Sequence, residues 1–194
     1  MRLILASASP RRKELLKNAG YEYEVCPADI DETMPEGVEP ETACEILSRK
    51  KAQAVLEENP DAVVLGSDTI VVLGNTILGK PENEEDAKAM LRALSGRVHQ
   101  VYTGLCVCSK EKTLSLVSRA DVRFYNLSDA VIDAYIATKE PMDKAGAYGI
   151  QGVGSMLVRS IEGDYFTIVG LPMAKAARML GEFGIKGYLP FDVE

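Results

Sequence analysis

Apolar positions along this chain switch between strand and helix periods, which predicts a mixed α/β protein. Leu3, Ile4, Leu5 and Ala6 form a short continuous run of buried-strand type. Ser9 then offers an N-cap and Pro10 fits the first helical position. Leu15, Leu16 and Ala19 share a face before Gly20, so a helix is predicted over residues 10–19, with Arg12 on that same face. Residues 21–25 alternate like a strand with one wet side, and residues 26–41 form a turn-rich acidic connection. Pro40 opens a second helix to about residue 58, with Ala43, Ile46, Leu47 and Ala54 on one side. By helical angle Lys50 stands nearer the middle of that apolar stripe than Lys51 does.

Residues 62–73 read as an apolar strand pair broken in its middle by Gly66, Ser67, Asp68 and Thr69. Gly74 and Asn75 suit a hairpin turn into residues 76–78, and Asn83 caps a helix over residues 84–95 with Ala87, Met90, Leu91 and Leu94 inward. Residues 98–108 and 113–125 are β-rich runs joined at 109–112, an extended hairpin in a mixed sheet. Ser128 caps a helix to about residue 138. A glycine-dense segment follows, with four glycines in the nine residues from Gly146. Strands over 156–160 and 166–169 flank a turn at Glu162 and Gly163, and Pro172 opens a last helix ending near Gly184. With no repeat and no composition shift, residues 1–194 are expected to form a single domain.

The composition is 46% hydrophobic and 26% charged, with no apolar run approaching the roughly 18 residues of a membrane span, so a cytoplasmic location is expected. A net charge of −7 argues against a nucleic-acid binder, which needs a broad basic field. The four cysteines lack zinc-ligand spacing and are expected to be free thiols. Surplus carboxylates beside a few local cations suit a small anionic ligand partly neutralised by a divalent metal.

Candidate chemistry begins at the first helix. Arg11, Arg12 and Lys13 lie in its first turn, where the macrodipole is already positive and like charge costs about 0.3–1 kcal/mol. Helix N–H groups, Ser7, Ser9 and two guanidiniums make an anion cradle suited to phosphate oxygens; a solvated basic turn balanced by Glu14 is the competing reading. Asp68 sits among Val63, Val64, Leu65, Ile70, Val71 and Val72, and a carboxylate there is costly to bury without a cation, a metal or several donors. Asp31 and Glu32 lie in the acidic connection, where loop solvation alone accounts for carboxylates. Pro81 holds Lys80 extended and so fixes its direction. Within the glycine segment Gln151 alone offers both amide groups, although such a segment also reads as a plain linker. His99, without a Cys or Ser partner motif, reads as structural. The Walker-type loop and the dinucleotide fingerprint are absent.

Six ordered blocks, Ser7-Ala-Ser-Pro-Arg-Arg12, Gly66-Ser-Asp-Thr-Ile70, Leu78-Gly-Lys-Pro81, Leu94-Ser-Gly96, Asp143-Lys-Ala-Gly-Ala-Tyr-Gly-Ile-Gln-Gly152 and Val169-Gly-Leu-Pro172, resemble the Maf family of nucleoside triphosphate pyrophosphatases. The Asp-Thr and Tyr-Gly-Ile-Gln-Gly wording is similar to the subgroup acting on dTTP and UTP. The resemblance implies a twisted mixed sheet with flanking helices in an elongated, two-lobed fold with a central cleft, similar to inosine triphosphate pyrophosphatases. It implies that Asp68 accepts the proton of the attacking water and contacts the metal, with Glu32 as the second acidic metal contributor. Ser7, Arg12, Lys51 and Lys80 match phosphate-binding positions. Arg11, Thr69 and Gln151 match positions that set substrate preference. The family's Lys-Ala-Gln-Ala wording aligns Lys51, against the helical angle that favours Lys50. The implied cofactor is a divalent cation, Mg2+ or Mn2+. The implied partner is a nucleoside triphosphate, with no nucleic acid and no membrane, and a homodimer is left open. The implied products are the monophosphate and diphosphate, in a house-cleaning activity linked to cell division arrest. A non-catalytic nucleotide-binding regulator of septum formation is the alternative.

Overall fold

The structure is a computed structural model that describes residues 1–33 and 37–191; positions 34–36 of the acidic connection lie outside the described residues. In chain order the elements are β1 (Leu3–Leu5), α1 (Pro10–Asn18), β2 (Glu24–Val25), α2 (Pro40–Glu58), β3 (Val63–Leu73), β4 (Thr76–Leu78), α3 (Glu84–Leu94), β5 (Val98–Cys108), β6 (Thr113–Phe124), α4 (Asp129–Ala137), β7 (Val158–Gly163), α5 (Tyr165–Val169) and α6 (Met173–Gly181). Short 3-10 turns at Glu140–Asp143, Ala145–Ala147 and Gly152–Leu157 lie between α4 and β7. The strands form one mixed sheet in the order β2-β1-β3-β5-β6-β7, with β4 paired to β3. β1 runs parallel to both neighbours, with Leu3, Ile4 and Leu5 opposite Val63, Val64 and Leu65. β4 and β7 are antiparallel to β3 and β6.

The chain divides into two compact units, residues 1–68, 103–118 and 170–194, and residues 69–102 and 119–169. In the first unit the central strands are buried on both faces, which is why they read as unbroken apolar runs. Leu3, Leu5, Val63 and Leu65 pack with Leu16, Leu171 and Leu180 on one side. Ile4, Ala6 and Val64 pack with Ala52, Val55, Cys106 and Cys108 on the other. Two glycines let α2 lie directly on the sheet. A Cβ on Gly66 would stand 2.4 Å from the Ser48 carbonyl, and one on Gly104 would stand 2.3 Å from the Cys44 carbonyl.

In the second unit α3 packs on α4, with Ala87, Leu91 and Leu94 of α3 and Ile132, Tyr135 and Ile136 of α4 buried. Arg92 holds Asp129 through two hydrogen bonds, Lys88 pairs with Asp133, and Lys139 pairs with Glu84. His99, Phe124 and Tyr148 stack edge to face, with ring centroids 4.8–5.3 Å apart. His99 is fully buried, with its Nε2 2.8 Å from the Tyr148 hydroxyl, in keeping with a structural histidine.

Several sequence expectations change. Residues 63–73 are one continuous strand rather than a broken pair, because Ser67 and Asp68 find partners without leaving extended backbone. Residues 166–169 lie in a helix, not a strand, since Asp164 caps it: its carboxylate accepts from the Phe166 N–H at 2.9 Å and its carbonyl from the Thr167 N–H at 3.0 Å. The expected turn at Glu162 and Gly163 is instead the end of β7, and the strand expected over 21–25 is confined to Glu24–Val25. All four cysteines are free thiols. Among the described residues no helix is long and apolar enough to cross a membrane.

Candidate active site

In the first unit the strand-to-helix turn after β1 is tied down by Arg12. Ser9 caps α1 and Pro10 opens it. The Arg12 Nε donates to the Gly170 carbonyl at 2.8 Å, and its Nη1 donates to the Ser67 carbonyl at 2.8 Å and to the Ser7 Oγ at 3.1 Å. Ser67 adds a hydroxyl bond to the same Gly170 carbonyl at 3.0 Å, and Ser7 also accepts from the Ser9 N–H at 3.2 Å. Gly170 presents that carbonyl from φ +112°, a conformation that side chains disfavour. Protein oxygens therefore offset part of the positive charge of the turn, and the solvated-turn reading fails for Arg12. Burial pulls the Arg12 guanidinium below its ordinary pKa, against the attraction of Asp68, and neighbouring Arg11 adds repulsion. An anion would relieve both effects.

Asp68 follows Ser67 on β3 and is only 8% exposed. Its Oδ1 accepts from the Lys51 Nζ at 2.5 Å, and the same ammonium lies 2.9 Å from the Glu32 Oε1. Lys51 and Asp68 side chains are 12% and 11% exposed whereas Glu32 is 58% exposed, so the inner pair is the desolvated one and Glu32 its solvent-facing third member. The Asp68 carbonyl accepts from the Cys44 thiol at 3.1 Å, and that sulfur accepts from the Gly104 N–H at 3.0 Å. The helical-angle preference for Lys50 is overturned: Lys50 is exposed, and Lys51 reaches inward. Ser48 and Ala52 are the residues of α2 that touch Gly66, which turns the adjacent Lys51 toward Asp68.

The first unit thus brings together Ser7, Arg12, Lys51, Asp68 and Glu32, with Arg11 partly buried on the same helix turn. Thr69, Lys80 and Gln151 belong to the second unit. Lys80 is exposed and Thr69 and Gln151 are partly buried. The segment before Lys80 is bound to the glycine segment by the Gly146 N–H, which donates to the Gly79 carbonyl at 3.0 Å. Ser67 and Cys44 escaped the sequence reading. Ser67 stood inside the noticed interruption of β3, but Cys44 carries no pattern that separates it from ordinary helix core.

Among the described residues no group of three or more His, Cys, Asp or Glu side chains is arranged to hold a metal. Two carboxylates do converge, Asp68 and Glu32, on the cation of Lys51. That donor set fits a hard divalent ion such as Mg2+, which takes one or two protein carboxylates and completes its shell with waters and substrate phosphates.

These features define a class first: a mixed-sheet α/β protein that gathers cations and carboxylates at a strand-to-helix turn and a mid-strand aspartate. Residues 2–183 match the family model described as Maf-like protein, and the chain belongs to that family. A relative from Bacillus cereus (strain B4264) named dTTP/UTP pyrophosphatase is 50% identical over 184 residues, covering 95% of this chain and 96% of its own. One of the same name from Bacillus thuringiensis subsp. konkukian (strain 97-27) gives the same identity and coverage. The solved Ham1 protein of Staphylococcus aureus is similar in fold at a TM-score of 0.51 and 16% identity, over 81% of this chain and 80% of that one.

Proposed function

We propose that the protein, as a single Maf-type domain, hydrolyses dTTP and UTP to the nucleoside monophosphate and pyrophosphate. The observation that carries this is the Glu32, Lys51 and Asp68 cluster beside Arg12 in a member of a family whose relatives bear the name dTTP/UTP pyrophosphatase. Arg12, Ser7, Lys51 and Lys80 hold the triphosphate, and Arg11, Thr69 and Gln151 set the substrate preference. Asp68 accepts the proton of the water that adds to phosphorus as the α–β anhydride bond breaks and pyrophosphate leaves. Mg2+ or Mn2+ held by Asp68 and Glu32 would supply charge neutralisation and polarisation of the phosphates. Lys51 pairs with these carboxylates in the structure and passes to phosphate oxygens when substrate arrives. Arg12 is held on three protein oxygens before substrate binds, so its ordering cost is already met when the phosphates dock.

The proposed setting is the cytoplasm, and light scattering of the purified chain decides between monomer and homodimer. Pyrophosphate release from dTTP, UTP and CTP with either metal tests the chemistry. Release from dTTP and UTP well above CTP is expected. Triphosphate that binds and stays intact would instead identify the non-catalytic regulator.

A further inference from the structure

The glycine segment that carries Gln151 is organised around the Glu140 carboxylate. Glu140 Oε1 accepts from the Tyr135 hydroxyl and from the Gly154 N–H, each at 3.0 Å, and its Oε2 accepts from the Val153 N–H at 3.0 Å. The Tyr135 oxygen in turn accepts from the Gly149 N–H at 3.1 Å. The backbone is therefore clamped two residues before Gln151 and two and three residues after it. Both clamps meet at one carboxylate. Burial disfavours the ionised form, yet the Gly154 and Val153 N–H groups, Tyr135 and Lys144 outweigh it and hold the Glu140 pKa below its ordinary value.

Left-handed backbone recurs around this clamp. Lys139, Gly146, Ala147 and Gly152 have φ of +62°, +69°, +55° and +63°, and two of these are not glycine. Gly152 follows Gln151 directly, and a Cβ there would meet Glu140 Oε2 at 2.7 Å. A Cβ on Gly154 would stand 2.2 Å from the Gly149 carbonyl, so the segment closes on itself around Glu140. A plain linker needs none of this.

We infer that Glu140 is the positioning residue of this segment: with Tyr135 it fixes residues 149–154 so that the Gln151 amide meets the substrate base in one orientation. The inference rests on the reading of Gln151 as the side chain that contacts the base. An amide is a donor and an acceptor related by a half-turn of its terminal bond. In one orientation it matches the N3–H and a ring carbonyl of thymine or uracil. Turned over, it matches the N3 acceptor and the amino group of cytosine. Discrimination therefore depends on a backbone that denies the second pose, and a loosened segment lets the amide approach either base.

The test compares kcat/KM for dTTP and CTP, by pyrophosphate release, in wild type, Gln151→Ala, Glu140→Gln and Tyr135→Phe, with a thermal melt of each. Glutamine keeps the shape of Glu140 but sets an NH2 against at least one of the three donors. The dTTP to CTP ratio is expected to fall about tenfold in Glu140→Gln, in the same direction but less in Tyr135→Phe, and furthest in Gln151→Ala. A purely structural loss lowers the active fraction equally for both substrates and leaves the ratio in place. If Gln151→Ala lowers the ratio while Glu140→Gln and Tyr135→Phe keep the wild-type value, the inference is overturned and the reading of Gln151 survives. If Gln151→Ala itself leaves the ratio unchanged, both fall together. Should Glu140→Gln not fold, Tyr135→Phe decides, since the ring stays and only the hydroxyl that joins Gly149 to Glu140 is lost.

Discussion

Replacing Asp68 with Asn removes one negative charge and leaves the shape of the side chain, so it separates the charge of this group from its packing. At 2.5 Å from the Lys51 ammonium and 8% exposed, Asp68 belongs to a largely desolvated pair. Removing one partner of a buried pair costs about 3–5 kcal/mol. Here the cost is smaller, because Lys51 keeps Glu32 at 2.9 Å and that carboxylate is mostly in water. A loss of about 2 kcal/mol is expected, which lowers Tm by about 5 °C in a chain of this size. The effect on turnover is larger. Losing a positioned proton acceptor lowers kcat by about 10²–10⁴-fold, or roughly 3–5 kcal/mol of barrier. The assay is pyrophosphate release from saturating dTTP, beside thermal melts and far-UV circular dichroism on the same samples. Glu32→Gln should cost about 1 kcal/mol or less in stability, because its pair with Lys51 is solvent-facing. A folded Asp68→Asn protein that turns over dTTP at the wild-type rate would refute the assignment of Asp68 as proton acceptor. A Tm unchanged from wild type would refute the account of the pair as desolvated.

Arg12→Ala strips the charged donor from the Gly170 and Ser67 carbonyls, so it should lower Tm even without substrate and raise KM for dTTP; Arg12→Lys should recover little of either, since an ammonium cannot reproduce the fork. Gly66→Ala places a Cβ 2.4 Å from the Ser48 carbonyl and should cost about 1–3 kcal/mol in a urea titration, whereas the exposed Gly74, with nothing within 4 Å of an added Cβ, should respond mainly through its φ of +62°. His99 has its pKa pushed down by burial to about 4, with Asp121 opposing. The unfolded chain binds this proton from about pH 6.5, so the stability His99 contributes is complete above that pH and is lost as the pH falls toward 4. The full change is about 3 kcal/mol, and the difference in melting between wild type and His99→Gln across pH 4–7 should show it; parallel pH profiles for the two proteins would refute it.

The helix starts and ends of α2, α3 and α4, the turn at Gly74 and the β5–β6 pair were legible in the sequence because caps, prolines and short-range periodicity act within a few residues. The same locality misled at residues 166–169, where β-prone side chains outvoted the Asp164 cap, and at Ser67 and Asp68, where polarity suggested a break in a strand that runs straight through. Asp68 stood out in the sequence because a carboxylate in an apolar run needs a partner, but the identity of that partner was not local. Whether Lys50 or Lys51 supplies it depends on which turn of α2 rests on Gly66, a contact between residues far apart in the chain. Arg12 was marked by its unfavourable place at a helix start, yet its bonds to Ser67 and Gly170 join three distant segments and exist only when the sheet has formed. Glu140 carried no signal at all: an acidic residue before a proline is ordinary, and its three donors arrive from a helix end and a glycine segment that only the folded backbone brings around it. Sequence determined which groups had unmet needs, because charge, burial and periodicity are properties of neighbours along the chain. Tertiary structure decided who met them, because hydrogen bonds and ion pairs are selected by distance in space.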